Sequence, residues 1–264
     1  MKNKAIYDIK DKKVLIDYKD EVVELTKSKQ DRINTFWDEQ IKENPYFFRV
    51  DLVTAIDLQE DEENKLILKC RKTDYAHFWY EKNHPNEKAS SCSVWAGTLL
   101  ETLDGYYVLG RMASKTAAPG RINVSGGSID FDLDKENGKI CPEKTAIREL
   151  EEEMGINANN PKYVRNKEIK YIKIPNSEIS SVGFIMKADL NMNVEGFKKL
   201  NEEFRKKLKE NGAIEEFQDI LFVKADEKSL GEFFEENKGN MYRYLQELIE
   251  KDQRERDNKE LEER

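Results

Sequence analysis

The segment RELEEEMGI, which starts at Arg148, constrains this chain more than any other feature. On an α-helix, Glu149, Glu152 and Glu153 share one face, because side chains three and four residues apart are neighbours. Like charges this close repel, and Arg148 alone cannot neutralise three acids. Mg²⁺ can do so, since it prefers oxygen ligands and keeps water for a phosphate substrate. The segment therefore predicts a metal-binding helix that ends at Gly155, a residue that tolerates left-handed backbone.

A solvated surface helix is the alternative, because 37% of the chain is charged. The preceding stretch, residues 118–130, speaks against it. Its sequence, APGRINVSGGSID, predicts a turn, a short strand and then Gly126-Gly127. A glycine pair lets backbone approach a ligand or a metal closely. An ordinary surface helix needs none of these constraints, so the combination favours a functional site.

A strand, Gly-Gly, a loop and a helix with the pattern R-E-φ-x-E-E-x-G-φ, where φ is apolar, resemble the Nudix box of nucleoside diphosphate hydrolases. We call residues 148–156 the box segment. The resemblance implies that Mg²⁺, or alternatively Mn²⁺, is held by the carboxylates of the box segment and by the carbonyl of Gly127. It also implies that Arg148 orients Glu152. The metal ligands implied are Gly127, Glu149, Glu152 and Glu153.

The match to the Nudix box has a defect. An insertion of about seven residues, relative to the family pattern, falls within residues 131–138, and Ile140 stands where a further glutamate is usual. Loop insertions cost little closure entropy, so the strand and the helix can still meet. We therefore expect an active site that is intact. A non-catalytic Nudix module that binds a nucleotide is the alternative, and Ile140 is its best support.

Many Nudix proteins take one more glutamate, as metal ligand or general base, from a loop before a late strand. In this chain Glu215 and Glu216 precede the strand that contains Phe222. We predict Glu216, because its spacing from Phe222 matches the family pattern. The alternative is a solvent-facing acid in a chain rich in glutamate.

The N-terminal part of the chain carries a second resemblance. Thr73, Tyr75 and Phe78 resemble a segment of a Nudix group that hydrolyses UDP-glucose and UDP-galactose. The resemblance implies substrate binding by these residues, to which we add Arg121, and release of a nucleoside monophosphate and a sugar 1-phosphate. ADP-ribose and dinucleoside polyphosphates are alternative substrates. For the aromatic residues, packing against neighbouring strands is the alternative, since helical spacing usually indicates core.

Composition limits the partners. The chain has 264 residues and a formal charge of −8, so it has no broad electrostatic attraction for nucleic acid, and a small nucleoside diphosphate derivative is the expected partner. Three widely spaced cysteines indicate reduced thiols in the cytoplasm rather than a disulfide scaffold. No apolar run approaches the length of a membrane span, so no membrane partner is expected. The sequence does not tell whether the chain is a monomer or an oligomer.

The element pattern predicts a mixed α/β fold: a Nudix α/β/α sandwich at residues 89–250, preceded by a small α/β domain at 1–88 and followed by a charged tail at 251–264. The tail is expected to be a solvated helix extension or disordered. Two further expectations concern the N-terminal domain. Residues 5–9 and 13–18 can form a hairpin, and Thr73 can cap a short aromatic helix.

Overall fold

The computed structural model describes residues 5–60, 65–87, 90, 92–175 and 181–262. Within these residues the helices are α1 (Lys27–Glu43), α2 (Tyr75–Asn83), α3 (Pro142–Met154), α4 (Val194–Glu210), α5 (Glu227–Asn237) and α6 (Arg243–Glu262). The strands are β1 (Ile6–Asp8), β2 (Lys13–Val22), β3 (Asp51–Glu60), β4 (Lys65–Asp74), β5 (Cys92–Glu101), β6 (Tyr106–Met112), β7 (Ile122–Asn123), β8 (Ser125–Ser128), β9 (Lys135–Glu136), β10 (Lys139–Ile140), β11 (Val164–Lys173), β12 (Ser181–Leu190) and β13 (Phe217–Lys224).

All of these strands except β9 and β10 form one sheet, whose main path runs β1-β11-β12-β5-β3-β4-β2. β6 and β8 also pair with β5, and β6 carries β13 and β7 beside it. The pairs β12–β5 and β2–β4 are parallel, and the other pairs are antiparallel. The predicted mixed sheet is therefore confirmed.

Helices cover both faces of this sheet, as the alternation along β5 makes plain. Val94 belongs to a buried cluster that contains Leu150 of α3, whereas Leu99 belongs to a second cluster that contains Leu245 of α6. Successive side chains of a strand point to opposite faces of the sheet, so Val94 and Leu99, which are five residues apart, lie on opposite faces. We call the two surfaces the α3 face and the α6 face. This layering agrees with the predicted α/β/α sandwich.

The N-terminal strands extend the same sheet. β3 pairs with β5, and Val53 and Leu66 lie in the same buried cluster as Val94. By contrast, α1 and α2 form a small core of their own around Ile33, Trp37, Ala76 and Tyr80. The predicted boundary at residue 88 lies outside the described residues, and the division into domains stays a prediction.

Two local expectations for the N-terminal part are wrong. β1 and β2 do not form a hairpin: β1 pairs with β11 and β2 with β4. The reason is burial, because Ile6 of β1 is 1% exposed within the cluster on the α6 face. Thr73 does not cap α2 either, since it lies within β4. Asp74 is the cap, and its Oδ1 accepts a hydrogen bond from the backbone N–H of His77 at 2.9 Å.

The expectation for the tail also needs correction. α6 runs on to Glu262, and residues 263–264 lie outside the described residues. Asp252, within the predicted tail, is 3% exposed and accepts hydrogen bonds from the hydroxyls of Tyr107 (2.8 Å) and Tyr171 (2.7 Å). The burial of Asp252 could not be predicted from the sequence, because charged residues dominate the segment around it and its partners lie on distant strands. Of the described helices, none is long and apolar enough to cross a membrane.

Candidate active site

The box segment forms the last half of α3, as predicted. Leu150 and Met154 are fully buried, which fixes one helix face in the core and leaves Glu149, Glu152 and Glu153 off that face. Gly155 ends the helix with φ of 74°, the left-handed conformation predicted for it. The space where a Cβ of Gly155 would lie is filled by the Phe204 ring of α4.

The glycine pair lies on β8, against α3. The backbone N–H of Gly126 donates to the Glu153 carboxylate at 2.9 Å. A Cβ at Gly127 would collide with the carboxylate of Glu149. The close approach predicted for Gly126-Gly127 is therefore present, and it brings the backbone of β8 against two of the three predicted metal ligands.

Two acids of the box segment, Glu149 and Glu153, are buried with little positive charge around them. Burial raises the pKa of Glu149 to about 7, although Arg148 opposes the shift. Burial also raises the pKa of Glu153 well above its usual range, and the charges of Glu149 and Glu216 add to the effect. Among the described residues, no lysine or arginine forms an ion pair with Glu153 or Glu216. The site is therefore short of positive charge.

Arg148 contacts more acids than the sequence predicted. Its Nη1 donates to Glu152 at 3.0 Å, which is the expected contact, and lies 2.8 Å from the Glu149 carboxylate. Its other nitrogens, Nε and Nη2, donate to the two carboxylate oxygens of Asp134 at 3.1 and 2.8 Å. Two parallel bonds of this kind fix the plane of a guanidinium. Asp134 therefore orients the arginine of the box segment.

Asp134 comes from the insertion and was missed by the sequence analysis. Its side chain is 1% exposed, and it also accepts the backbone N–H of Asp130 at 2.8 Å. The β9–β10 hairpin that follows returns the chain to α3, and Ile140 packs into the core. The signal in the sequence was an acid within an acidic insertion, with nothing to distinguish it from Asp132.

The donors present fit a hard divalent cation, although the side chains do not form a finished cage. Carboxylate oxygens are the ligands that Mg²⁺ and Mn²⁺ prefer. In the part of the chain that the structure describes, no three acidic, histidine or cysteine side chains are gathered at metal-ligating distances. Glu152 is 58% exposed and leans on Arg148. The fit rests on the buried carboxyl of Glu153, with which no described cation pairs, and on Glu149, which shares Arg148 with two other acids. A bound cation would relieve the charge of both.

Glu216 lies close to these acids, and Glu215 does not share its environment. Glu215 is bound by Arg205, whose Nε donates to it at 2.8 Å. Burial raises the pKa of Glu216, whose charge acts on both Glu153 and Tyr75. The choice of Glu216 over Glu215 stays a prediction, and so does the role of Glu216 as base or ligand.

The predicted substrate residues are scattered. The Tyr75 ring packs against Trp79 and Phe78, with centroids 6.2 and 5.6 Å away, so packing accounts for much of this aromatic group. Burial and the charge of Glu216 raise the pKa of Tyr75 to about 12, which places Tyr75 beside the acids. Thr73 is 7% exposed, and its hydroxyl is hydrogen-bonded to the His77 ring.

Arg121 lies at a different place. Its Nη1 donates to the carbonyl of Gly239 at 3.2 Å, and its guanidinium lies over the Tyr242 ring at 5.3 Å. These contacts are with the connection between α5 and α6, not with the acids of α3. Substrate binding by Thr73, Phe78 and Arg121 stays a prediction.

Comparisons with known proteins give distant structural likenesses only. No protein-family model matches the chain, and no curated protein matches it. Among solved structures, a MutT protein from Methanosarcina mazei Go1 is 14% identical, with a TM-score of 0.37 over 62% of this chain and 94% of that one. DR0079 from Deinococcus radiodurans is 13% identical, with a TM-score of 0.41 over 77% of this chain and 98% of that one.

A bifunctional NMN adenylyltransferase/ADP ribose pyrophosphatase from Francisella tularensis, complexed with AMP and a Mn ion, is 10% identical. Its TM-score is 0.39, over 66% of this chain and 44% of that one. TM-scores this low do not establish a family or a function for this chain.

Proposed function

We propose that this chain is a Nudix-type hydrolase that needs a divalent cation and cleaves a nucleoside diphosphate joined to another group. One observation carries the proposal. Glu153 is buried against a glycine pair, on the helix face that also carries Glu149, and no described cation pairs with it, while Arg148 is shared among Glu149, Glu152 and Asp134. A purely structural site would pair or remove such charges, because burying them unpaired is unfavourable.

Each residue has a definite task in this reaction. Glu149, Glu152 and Glu153 would hold Mg²⁺ or Mn²⁺, with the carbonyl of Gly127 as a further ligand, and the missing side chain of Gly127 lets the Glu149 carboxylate lie against β8. When bound, the ion neutralises pyrophosphate oxygens and makes phosphorus accessible to water. Arg148, fixed by Asp134, would keep the carboxylates of Glu149 and Glu152 in place.

Glu216 is the acid that we assign to the attacking water. It would accept the proton that water loses as the new phosphorus–oxygen bond forms and the bridging P–O bond breaks. The products are a nucleoside monophosphate and the phosphate ester of the other group. Tyr75 stands beside Glu216 and presents a hydroxyl that no described residue binds, so it is well placed to contact the substrate.

For the substrate we propose a nucleotide sugar such as UDP-glucose or UDP-galactose, because of the resemblance carried by residues 73–78. The test incubates the purified chain with Mg²⁺ or Mn²⁺ and a panel: UDP-glucose, UDP-galactose, ADP-ribose and a dinucleoside tetraphosphate. Chromatography identifies the products. Release of UMP from the UDP-sugars at the highest kcat/KM supports the proposal, whereas preference for ADP-ribose would overturn the substrate while keeping the reaction. No hydrolysis of any member would overturn the function.

A further inference from the structure

One guanidinium, that of Arg205, binds the chain on both sides of Glu216. Residues 211–216 connect α4 to β13, and a loop at the surface is ordinarily the least fixed part of a fold. The carbonyl of Glu216 accepts the backbone N–H of Ala113 at 2.8 Å. That bond fixes the backbone of Glu216 itself, and the direction of the Glu216 side chain needs a second constraint.

Arg205 supplies contacts on both sides of Glu216. Its Nε donates to the Glu215 carboxylate at 2.8 Å, and its Nη2 donates to the same carboxylate. Nη2 also donates to the backbone carbonyl of Gln218 at 3.1 Å. Lys209 lies 3.5 Å from the other oxygen of Glu215 and assists. The residue before Glu216 and the strand after it are thus bound to one side chain of α4.

α4 is itself seated on the helix of the box segment. Phe204, the neighbour of Arg205, fills the space above Gly155 at the end of α3. Phe197, at the other end of α4, is fully buried and packs edge-on against Phe222 of β13, with ring centroids 5.6 Å apart. α4 therefore touches both the helix that bears Glu149 and Glu153 and the strand that follows Glu216.

We propose that Arg205 is a positioning residue that fixes Glu216 relative to the acids of α3, by way of Glu215 and the Gln218 carbonyl. This inference rests on the proposed function, because Glu216 needs a defined position only if it acts on the substrate. Charge alone would not serve. A planar guanidinium can bind a carboxylate with two nitrogens and reach a carbonyl with one of them, whereas an ammonium group cannot reproduce that geometry.

The experiment measures kcat and KM for the best substrate of the panel in Arg205→Met and Arg205→Lys. The control is Lys206→Met, because Lys206 is the next residue of α4, its side chain is 77% exposed, and its one ion pair among the described residues is with Glu210 at 4.0 Å. We expect kcat to fall about tenfold in both Arg205 variants, with KM changed less than about twofold, and no change in the control. Thermal unfolding checks that each variant is folded, and Glu215→Gln replaces any that is not.

A double-mutant cycle separates positioning from general damage. In a Glu216→Gln background, the substitution at Arg205 should change kcat less than about twofold, because the group that it positions is gone. An equal tenfold fall in that background would overturn the inference, as would unchanged kcat in the single Arg205 variants. Wild-type protein that hydrolyses nothing would refute the proposed function, and this inference with it. An active wild type with unaffected Arg205 variants would refute the inference alone.

Discussion

The two faces of the sheet each hold enclosed acids, and the acids are treated in opposite ways. On the α6 face, burial alone would raise the pKa of Asp252, but the charges of Lys187 and Lys170 outweigh burial and lower it. On the α3 face, burial raises the pKa of Glu149 to about 7 and that of Glu153 well above its usual range. Similar enclosure thus gives opposite shifts, because two lysines lie at Asp252, whereas the single Arg148 is shared by three acids and no described cation pairs with Glu153.

This difference separates stability from function. Asp252 has its partners within the chain: two tyrosine hydroxyls, and Lys170 at 3.0 Å. Such a network holds α6 on the sheet and needs nothing from solution. The acids of α3 are held in place by the same kind of packing, but Arg148 pairs with Glu149 and Glu152 only, and the charge of Glu153 is left for something outside the chain to neutralise. The unsatisfied face is where we place the reaction.

The largest expected effect is the loss of activity in Glu153→Gln. The amide keeps the shape and the oxygen that Gly126 binds, but it has no charge and is a poor ligand for Mg²⁺. We expect kcat/KM to fall about 1,000-fold, which is about 4 kcal/mol in the activation barrier. Without metal, the melting temperature should stay the same or rise, because repulsion from Glu149 and Glu216 is removed.

The matched control for that variant is Glu151→Gln. Glu151 lies on the same helix and is exposed, and among the described residues its carboxylate is hydrogen-bonded to Asn157 alone. Its substitution should leave steady-state rates and the melting temperature unchanged. Equal activity losses at 151 and 153 would show that the α3 face has no special site, and the comparison between the faces would fail.

On the α6 face the expected effect is on stability. Asp252→Ala removes the acceptor of the Tyr107 hydroxyl and one of the partners of Tyr171, Lys170 and Lys187, and should lower the free energy of unfolding by about 3 kcal/mol. Urea denaturation measures it. Asp257→Ala, an exposed acid on the same helix with one bond to Gln253, should change it by less than about 0.5 kcal/mol. At temperatures where both variants are folded, kcat should be unaffected. A large fall in kcat for Asp252→Ala would show that the two faces are not independent.

Lys173 gives the reverse case, because it is a buried base with which no acid of the described residues pairs. Lys173 is 1% exposed, its ammonium contacts Ser181, and burial lowers its pKa from 10.5 to about 8. Between these two values the unfolded chain binds a proton that the folded chain lacks, so stability due to this group increases as pH rises and is lost as pH falls toward 8. From pH 8 to about pH 9.5 the wild type should gain about 2 kcal/mol relative to Lys173→Met.

Urea denaturation at a series of pH values gives that difference, and exposed Lys162→Met serves as the control, with a difference that does not vary with pH. If the difference in stability between wild type and Lys173→Met does not vary with pH, Lys173 stays charged in the folded chain. Burial without an acid would then not be enough to shift the pKa of a charged group in this protein.

The sequence predicted most of the fold and the helix of the site, for a physical reason. Helix periodicity, the αL position at Gly155 and the close approach at Gly127 are local properties, so neighbouring residues reveal them. The pairing of β1 with β11 and the burial of Asp252 could not be predicted in this way. Ile6 finds its place against β11, and Asp252 finds its lysines on distant strands, and neither partner is marked in the sequence around them.

The site shows the same limit. The three glutamates of α3 were predicted because one helix carries them all. Arg205 was not, because its contact with Glu215 depends on how α4 packs against the loop that follows it. Asp134 is the clearest case. The family pattern directed attention to Ile140, whereas the acid that binds Arg148 lies within the insertion.

Asp134→Asn tests whether that inserted acid replaces the usual glutamate. The amide keeps one acceptor for Arg148 but loses the charge and the paired geometry. We expect kcat to fall about tenfold with the fold retained, and Asp134→Glu to restore part of the rate. Exposed Asp132→Asn, from the same insertion, should change nothing. If Asp134→Asn lowers only the melting temperature and leaves the rate per folded molecule unchanged, Asp134 stabilises the insertion like an acid of the α6 face. Arg148 would then need no orientation to act.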